Sequence, residues 1–90
     1  MAVVAIIAKI MPDSPSADIK LIEETAKRRL EEEGALNVSF EERPIAFGLK
    51  AIFFKFAWNE SKDTSIIENA LSSIAHVSSA TIEDYRRAFG

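Results

Sequence analysis

The segment at residues 50–58 constrains the fold most strongly, because large apolar side chains occupy every second position along most of it. One alternating set consists of Ile52, Phe54, Phe56 and Trp58, and the other includes Ala51, Phe53 and Lys55. Successive side chains of a β-strand point to opposite faces, so this alternation predicts a strand. The first set carries the largest apolar groups and no charge, and we therefore expect it to face the core.

Three further segments have the composition and alternation of β-strands. Residues 2–11 are rich in Val and Ile and end at Pro12, which lacks a backbone donor. Residues 36–41 alternate between apolar and polar side chains, which is typical of a half-buried strand. A weaker strand is predicted at residues 77–82, with a polar tail at residues 83–90. The expected core-facing residues are Val4, Ile6, Ala8 and Ile10, then Leu36, Val38 and Phe40, then Ala80 and Ile82.

A first helix is predicted between the first two strands, from a cap at Ser16 to about Glu33. The Ser16 hydroxyl can accept a hydrogen bond from a free first-turn amide, and Gly34 is a natural C-terminal stop. Glu23 falls among the charged residues on the side expected to face solvent. The predicted buried stripe consists of Ile19, Ile22, Ala26 and Leu30.

A second, short helix is predicted after the polar loop that follows the central strand. Asp63, Thr64 or Ser65 can cap it, and Ser65 with Glu68 fits a reciprocal capping box. Its predicted buried stripe consists of Ile67, Ala70, Leu71 and Ile74.

The element order is therefore β-α-β-β-α-β, the split βαβ plan of ferredoxin-like α+β folds. This plan predicts a four-stranded antiparallel sheet with both helices on one face. The opposite face, here named the open face, would carry Val3, Ala5, Ile7, Lys9, Ala51, Phe53 and Lys55. An apolar open face of this kind implies either a partner or packing by the C-terminal tail.

The composition indicates one soluble globular domain that covers residues 1–90. Hydrophobic residues make up 48% of the chain and charged residues 28%, unlike disordered or membrane-embedded chains. No apolar run approaches the roughly 20 residues of a membrane span, and the N-terminal run lacks the features of a signal peptide. We therefore expect a cytoplasmic protein that does not bind a membrane.

Several kinds of chemistry lack support in the sequence. The net charge of −3 disfavours a bulk nucleic-acid binder, and neither glycine-rich phosphate-binding motif is present. There is no cysteine, the single histidine, His76, has no partner nearby in the sequence, and no nucleophile–His–carboxylate spacing is evident. The residues therefore indicate no catalytic residue, metal site or cofactor.

The turn before the central strand is the candidate functional site. Pro44 and Gly48 bracket Ile45, Ala46 and Phe47. Proline fixes its own φ, and glycine adopts backbone angles that phenylalanine would avoid, so the phenyl ring is expected at a backbone corner. On the residues alone, the ring is either a presented contact or an ordinary core residue or hairpin plug.

Two other functions remain open on the residues alone. An RNA- or ribosome-associated protein of this fold would place aromatic and basic side chains on the open face, and Phe53 with Lys9 and Lys55 is a sparse version of that arrangement. A small phosphate-cleaving hydrolase would need a glycine-rich loop after the first strand. That loop reads Met-Pro-Asp-Ser-Pro-Ser here, and its Asp13 would repel a phosphate.

The turn and the C-terminal segment together resemble those of a known family. Residues 44–49 read Pro-Ile-Ala-Phe-Gly-Leu, and residues 81–87 read Thr-Ile-Glu-Asp-Tyr-Arg-Arg. Residues 9–15 read Lys-Ile-Met-Pro-Asp-Ser-Pro, and Leu-Ser-Ser-Ile at residues 71–74 precedes Val77. With these motifs the chain resembles, over nearly its whole length, the archaeal translation elongation factor 1-beta family, whose members are relatives of the exchange domain of the eukaryotic factor.

The resemblance implies a guanine-nucleotide exchange factor for elongation factor 1-alpha, the GTPase that delivers aminoacyl-tRNA. Such a factor would speed GDP release and GTP reloading without covalent chemistry and without direct contact with nucleic acid. Phe47 matches the aromatic residue of the family's turn, which would insert between helices of the GTPase. Arg87 is the best match to a basic residue that would act near the magnesium ion, with Arg86 as its register-shifted competitor. The partner-binding residues that the resemblance implies are Phe47, Arg87, Arg86, Ile45, Ala46, Gly48 and Lys50.

Overall fold

Four strands and two helices follow one another in the predicted order. The computed structural model describes residues 2–87. The elements are β1 (Val3–Pro12), α1 (Ile19–Glu32), β2 (Leu36–Pro44), a one-turn 3-10 helix (Ala46–Gly48), β3 (Lys50–Asn59), α2 (Ser65–Ser72) and β4 (Val77–Arg87). The strand order in the sheet is β2-β3-β1-β4, with every neighbouring pair antiparallel, which confirms the predicted ferredoxin-like fold. Within residues 2–87, no helix has both the length and the apolar composition needed to cross a membrane.

The core lies between the sheet and the two helices. The predicted core faces of β1 and β3 are confirmed, because these side chains are all buried: Val4, Ile6, Ala8, Ile10, Ile52, Phe54, Phe56 and Trp58. Both helices contribute to the same cluster, with Ile22, Ala26 and Leu30 from α1 and Ile67 and Leu71 from α2. Arg29 also joins the helices, since its Nη1 donates to the Ala70 carbonyl at 3.3 Å and to Ser73 Oγ at 2.6 Å.

We expect Phe54→Ala to lower the free energy of unfolding by about 3–5 kcal/mol. Phe54 is fully buried in β3, and its ring centroid lies 5.7 Å from that of Phe40. Urea denaturation followed by circular dichroism measures the effect. Phe53→Ala is the matched control, because Phe53 lies on the open face of the same strand and is only partly buried. An equal loss in the two variants would contradict the assignment of the two faces.

The last strand is longer than the sequence predicted. β4 continues to Arg87, so residues 83–87, predicted as part of a polar tail, belong to the strand, and residues 84–87 pair with β1. Arg87 lies opposite Val4, beyond an irregularity in the register. Backbone groups along this edge of β1 need partners, and an edge strand tolerates polar side chains because much of it remains in contact with water. The described part of the tail therefore extends the sheet and does not cover the open face.

The first residue of β2 faces the opposite way from the prediction. Leu36 pairs with Ala57, which belongs to the open face, whereas Phe40 pairs with Phe54 of the core face. A register shift follows Leu36, and Asn37 has a φ of 57°. Because one extra residue in a strand moves the preceding side chains to the other face, Leu36 is 58% exposed and not half-buried as expected.

An aspartate side chain accepts a hydrogen bond from a backbone N–H at the start of each helix. Asp18 Oδ1 accepts a hydrogen bond from the Leu21 N–H at 3.1 Å, so the cap predicted at Ser16 is wrong by two residues. Asp63 Oδ1 accepts a hydrogen bond from the Ser65 N–H at 2.9 Å, and this bond lowers the pKa of Asp63. Thr64, one of the three predicted candidates, occupies the N-cap position of α2, but its side chain makes no capping hydrogen bond. Since Ser65 is the first residue of the helix, the predicted capping box is wrong. A carboxylate suits both positions because it also interacts with the positive end of the helix dipole.

Candidate functional site

The β2–β3 hairpin ends in a turn at residues 45–49, here named the Phe47 turn, which backbone hydrogen bonds close. The Ile45 N–H donates to the Leu49 carbonyl at 2.9 Å, and the Leu49 N–H donates to the Ala46 carbonyl at 3.3 Å. Both bonds join backbone atoms. The shape of the turn therefore does not depend on the Phe47 side chain.

The ring of Phe47 projects from this turn into solvent. Phe47 is 91% exposed, and its backbone is left-handed, with a φ of 64° and a ψ of 29°. Because Phe47 itself has a positive φ, the prediction that phenylalanine would avoid such angles is wrong. Gly48 follows with a φ of 73°. The left-handed conformation costs a bulky residue about 1–2 kcal/mol, and the exposed ring gains no core burial that offsets this cost. The alternative that the ring is a core residue or a hairpin plug is therefore wrong.

Two neighbours lie near the base of the Phe47 turn. On one side lies the loop between β1 and α1, since a Cβ placed on Gly48 would be 3.8 Å from the Cβ of Pro15. On the other side, Lys50 Nζ lies 3.6 Å from Glu42 Oε1. Both neighbours belong to the end of the sheet at which β1 leads into α1.

Glu42 lies beside a buried acid that the sequence placed in solvent. Glu42 pairs with the core residue Ile52, so its side chain is on the helix side of the sheet, where α1 carries Glu23. Glu23 is only 5% exposed, and its Oε2 has no hydrogen-bond partner among residues 2–87. Burial, together with a hydrogen bond and repulsion from the Glu42 carboxyl, raises the pKa of Glu23 to about 7. In the folded state Glu23 therefore keeps its proton to a much higher pH than an exposed glutamate does.

The raised pKa of Glu23 makes the stability of the fold depend on pH. Between the ordinary pKa of 4.5 and about 7, the folded state binds more protons at Glu23 than the unfolded state does, so stability falls as pH rises through this window. We expect Glu23→Gln to abolish that fall and to raise the free energy of unfolding by about 1–3 kcal/mol at pH 8. Urea titrations at pH 5 and pH 8 measure the effect. Glu24→Gln, in the exposed neighbour on α1, is the control, and a wild-type pH dependence in Glu23→Gln would contradict the assignment.

The two C-terminal arginines lie on opposite faces of β4. Arg87 pairs with Val4 of the core face, and its Nη2 lies 3.0 Å from Glu60 Oε1. Arg86 pairs with Ala5 of the open face and has an ion pair within its own strand at 2.9 Å. Their side chains are 81% and 79% exposed, respectively. The structure therefore separates two candidates that the sequence left side by side.

The two halves of the predicted site lie at opposite ends of the sheet. The Phe47 turn lies beyond the pair formed by Ile10 and Ile52, whereas Arg87 lies opposite Val4. Six strand residues span roughly 20 Å, and the longest extent of the fold is 41 Å. The two halves therefore do not form one pocket, and a partner that touches both must span the sheet.

The open face carries a stacked cation that was not predicted from the sequence. The guanidinium carbon of Arg43 lies 4.5 Å from the ring centroid of Phe53, and Arg43 also forms an ion pair with Glu41 at 2.5 Å. Lys9 pairs directly with Phe53, and Lys55 lies two residues further along the same strand. An arginine therefore occupies one face of the ring on which an RNA base would stack.

Asp13 and His76, which are far apart in the sequence, form a pair at the surface. His76 Nδ1 lies 3.3 Å from Asp13 Oδ2, and the Asp13 N–H donates to the His76 carbonyl at 2.8 Å. The pair links the end of β1 to the residue before β4. Among residues 2–87, no group of three or more His, Asp or Glu side chains is arranged to hold a metal ion.

The prediction that Glu23 faces solvent is wrong, and no position was predicted for the Glu42 side chain. A signal for each was present in the sequence. Glu42 continues the alternation of Val38 and Phe40, which points it towards the helices. Glu23 directly follows Ile22 of the buried stripe, so a slightly wider stripe would include it.

Comparisons with known proteins support the expected resemblance. A family model of the EF-1 guanine nucleotide exchange domain matches residues 5–88. The chain is 37% identical over 89 residues to elongation factor 1-beta of Aeropyrum pernix, with 97% of this chain and 98% of the relative covered. It is 36% identical over 90 residues to elongation factor 1-beta of Methanocella arvoryzae, with 99% and 100% covered. The corresponding values for elongation factor 1-beta of Methanosphaera stadtmanae are 33% over 88 residues, with 97% and 98% covered. The chain therefore belongs to the EF-1 guanine nucleotide exchange domain family.

Proposed function

We propose that this exchange domain promotes GDP release from elongation factor 1-alpha by inserting the Phe47 ring into the GTPase. The observation that carries the proposal is the 91% exposure of that ring on a left-handed turn. The arrangement adds nothing to the stability of the free protein, and backbone strain of this kind clusters at functional sites. Burial of the ring in a partner would contribute about 1.5–3 kcal/mol.

Exchange follows from the linkage between the two binding equilibria. A factor that binds the nucleotide-free or distorted GTPase more tightly than the GDP-bound form must weaken GDP binding by the same ratio. The free energy of burying one phenyl ring corresponds to about a 10- to 150-fold change in an equilibrium constant. GTP then binds the emptied site and displaces the factor, so the GTPase is reloaded without any covalent step.

Arg87 acts at the other end of the domain in this proposal. A guanidinium near the magnesium ion competes with the metal for phosphate and carboxylate oxygens, which weakens GDP binding. The Arg87 side chain is 81% exposed, so its ion pair with Glu60 contributes little and the arginine can change partners at small cost. Because Arg87 and the Phe47 turn are far apart, one domain can engage two parts of the GTPase at once.

In this proposal the protein is a cytoplasmic binding module and not an enzyme. It changes no covalent bond and acts on the nucleotide only through the GTPase. The stacking of Arg43 on Phe53, at 4.5 Å, argues against RNA binding on the open face, because the ring is partly covered.

Linkage also supplies the test of the proposal. Isothermal titration calorimetry measures the affinity of the protein for nucleotide-free and for GDP-bound elongation factor 1-alpha, and the affinity of the GTPase for GDP with and without the protein. We expect the protein to bind the nucleotide-free GTPase at least about tenfold more tightly than the GDP-bound form. The protein should weaken GDP binding by the same factor. Equal affinity for the two forms of the GTPase would overturn the proposal. Tight binding to a single-stranded RNA without a preference between the two GTPase forms would favour the RNA-associated alternative.

A further inference from the structure

We propose that a small apolar cavity beside Leu21 is a second docking point for elongation factor 1-alpha and that it takes one uncharged, apolar side chain of that GTPase. The inference rests on the proposed function, because the partner is the same, but it concerns affinity for the GTPase and not the release of GDP. The cavity has a volume of about 180 Å³ and lies between α1 and the connection from α2 to β4. It is here named the Leu21 cavity.

The lining of the Leu21 cavity is apolar on its inner side. Ile22 of α1 and Ile74 of the connection both line it, and both are buried members of the hydrophobic core. Leu21 also lines it and is 58% exposed. A leucine that is more than half exposed still has apolar surface to bury, so a side chain seated beside it would gain affinity from both.

The polar groups around the Leu21 cavity already have partners within the protein. Arg29 Nη1 donates to Ser73 Oγ at 2.6 Å, and His76 Nδ1 lies 3.3 Å from Asp13 Oδ2. Asp18 accepts a backbone hydrogen bond at the start of α1. A charged or polar occupant would compete with these contacts, whereas an apolar side chain leaves them in place. The cavity therefore favours an apolar occupant.

The size of the Leu21 cavity favours a protein side chain over a free small molecule. Pockets that hold small ligands commonly have volumes of about 300–1,000 Å³. The Leu21 cavity, at about 180 Å³, is smaller than that. Hot spots of protein interfaces are often single side chains that fill such pockets, surrounded by contacts that exclude water. One side chain presented by a folded partner therefore suits this cavity.

The loop between β1 and α1 connects the Leu21 cavity to the Phe47 turn. A Cβ placed on Gly48 of the turn would be 3.8 Å from the Cβ of Pro15 in this loop. Two residues earlier, the Asp13 N–H donates at 2.8 Å to the carbonyl of His76, which lines the cavity. The turn and the cavity therefore belong to one end of the domain, and a partner that buries Phe47 lies against that end.

Exposed apolar side chains concentrate at this end. Leu21, Ile45 and Phe47 are three of the six large apolar side chains that are exposed among residues 2–87. Exposed apolar surface that is concentrated in one region marks sites of protein contact. The Phe47 turn and the Leu21 cavity therefore form one surface with two anchoring points for the GTPase.

The affinity for nucleotide-free elongation factor 1-alpha tests the inference. Isothermal titration calorimetry compares wild type, Leu21→Ala and Leu36→Ala. The two leucines are equally exposed, at 58%, but Leu36 begins β2 and pairs with Ala57 at the opposite end of the sheet. We expect Leu21→Ala to weaken binding about five- to tenfold, because the leucine would otherwise bury its remaining exposed surface. Leu36→Ala should bind like wild type.

Ala75→Phe is a second variant that blocks the cavity. Ala75 lines the cavity and is exposed, so a larger side chain there can occupy the cavity without entering the core. We expect a loss of affinity at least as large as that of Leu21→Ala. Urea unfolding should show wild-type stability for both variants, since neither position belongs to the core. Wild-type affinity in either variant would overturn the inference.

Failure of this inference and failure of the proposed function give different results. If Leu21→Ala binds like wild type, the inference is overturned even when Phe47→Ala slows GDP release. If Leu21→Ala binds more weakly but wild type shows no preference between nucleotide-free and GDP-bound GTPase, the docking point stands and the proposed function fails. No binding of wild type to the GTPase would overturn both. Sedimentation that shows a wild-type dimer, lost in Leu21→Ala, would assign the cavity to a second copy of this chain and would also overturn the inference.

Discussion

Replacing Phe47 with alanine is expected to lower the apparent second-order rate constant of GDP release by about 10- to 150-fold. The range follows from the free energy of burying one phenyl ring in the GTPase. The stability of the free protein should remain within about 0.5 kcal/mol of wild type, because Phe47 is 91% exposed. Stopped-flow release of fluorescent GDP measures the rate, and urea unfolding measures the stability.

Leu36→Ala is the matched control for Phe47→Ala. Leu36 is another exposed apolar residue of the β2–β3 hairpin, 58% exposed and remote from the turn, and its replacement should leave GDP release unchanged. A large loss of stability in Phe47→Ala would show that the ring belongs to the fold. A stable Phe47→Ala protein that releases GDP at the wild-type rate would show that the ring is not part of the functional site.

Arg87→Ala is expected to slow GDP release roughly tenfold and to change its magnesium dependence. Hydrogen bonds from a charged donor contribute about 1.5–3 kcal/mol, so the loss of one such bond in the transition state for release accounts for this size of effect. If the guanidinium competes with the metal, added Mg²⁺ should slow the wild-type reaction more steeply than the reaction with the variant. A series of GDP-release rates at increasing Mg²⁺ concentration measures both effects.

Arg86→Ala is the control for Arg87, because the two side chains are about equally exposed but lie on opposite faces of β4. We expect Arg86→Ala to have a milder effect and to keep the wild-type magnesium dependence. Arg87→Lys should retain part of the activity, since it keeps the charge but loses the planar donor geometry. Equal losses in the two alanine variants would show that the C-terminal strand acts as a general electrostatic contact.

Side-chain periodicity was sufficient to predict the layers of the fold. Alternation assigns the core faces of β1 and β3 correctly, as the burial of Ile6 and Phe54 shows, because one face of each strand is completely covered by helices. The spacing of Ile22 and Leu30 likewise identifies the buried face of α1. Where one side of an element is covered, burying polar groups there is costly, so apolar residues recur on that side at the spacing of the strand or helix.

Periodicity is uninformative where the covering layer ends or a long-range contact intervenes. Beyond Ile82, β4 has little core face, and pairing of its backbone with β1 decides its length. Leu36 changes face because Asn37 adds a bulge, which alternation does not reveal. Glu23 is buried on α1 although the charge pattern of that helix assigns it to the side that faces solvent.

The candidate site, like the fold, could be predicted only in part from the sequence. Proline and glycine punctuation, together with the resemblance to a known family, identified the turn around Phe47, but only the structure shows that the ring is exposed and its backbone left-handed. The choice between Arg86 and Arg87 depends on the register of β4 across an irregularity in its pairing with β1. Neither property is encoded in local sequence pattern.

The most direct measurement is the rate of fluorescent-GDP release from elongation factor 1-alpha at increasing concentrations of the wild-type protein. We expect the rate to rise and then to saturate, because the protein must form a complex with the GDP-bound GTPase before GDP leaves. No acceleration at a saturating concentration of folded protein would contradict nucleotide exchange on this GTPase, and with it the proposed roles of Phe47 and Arg87.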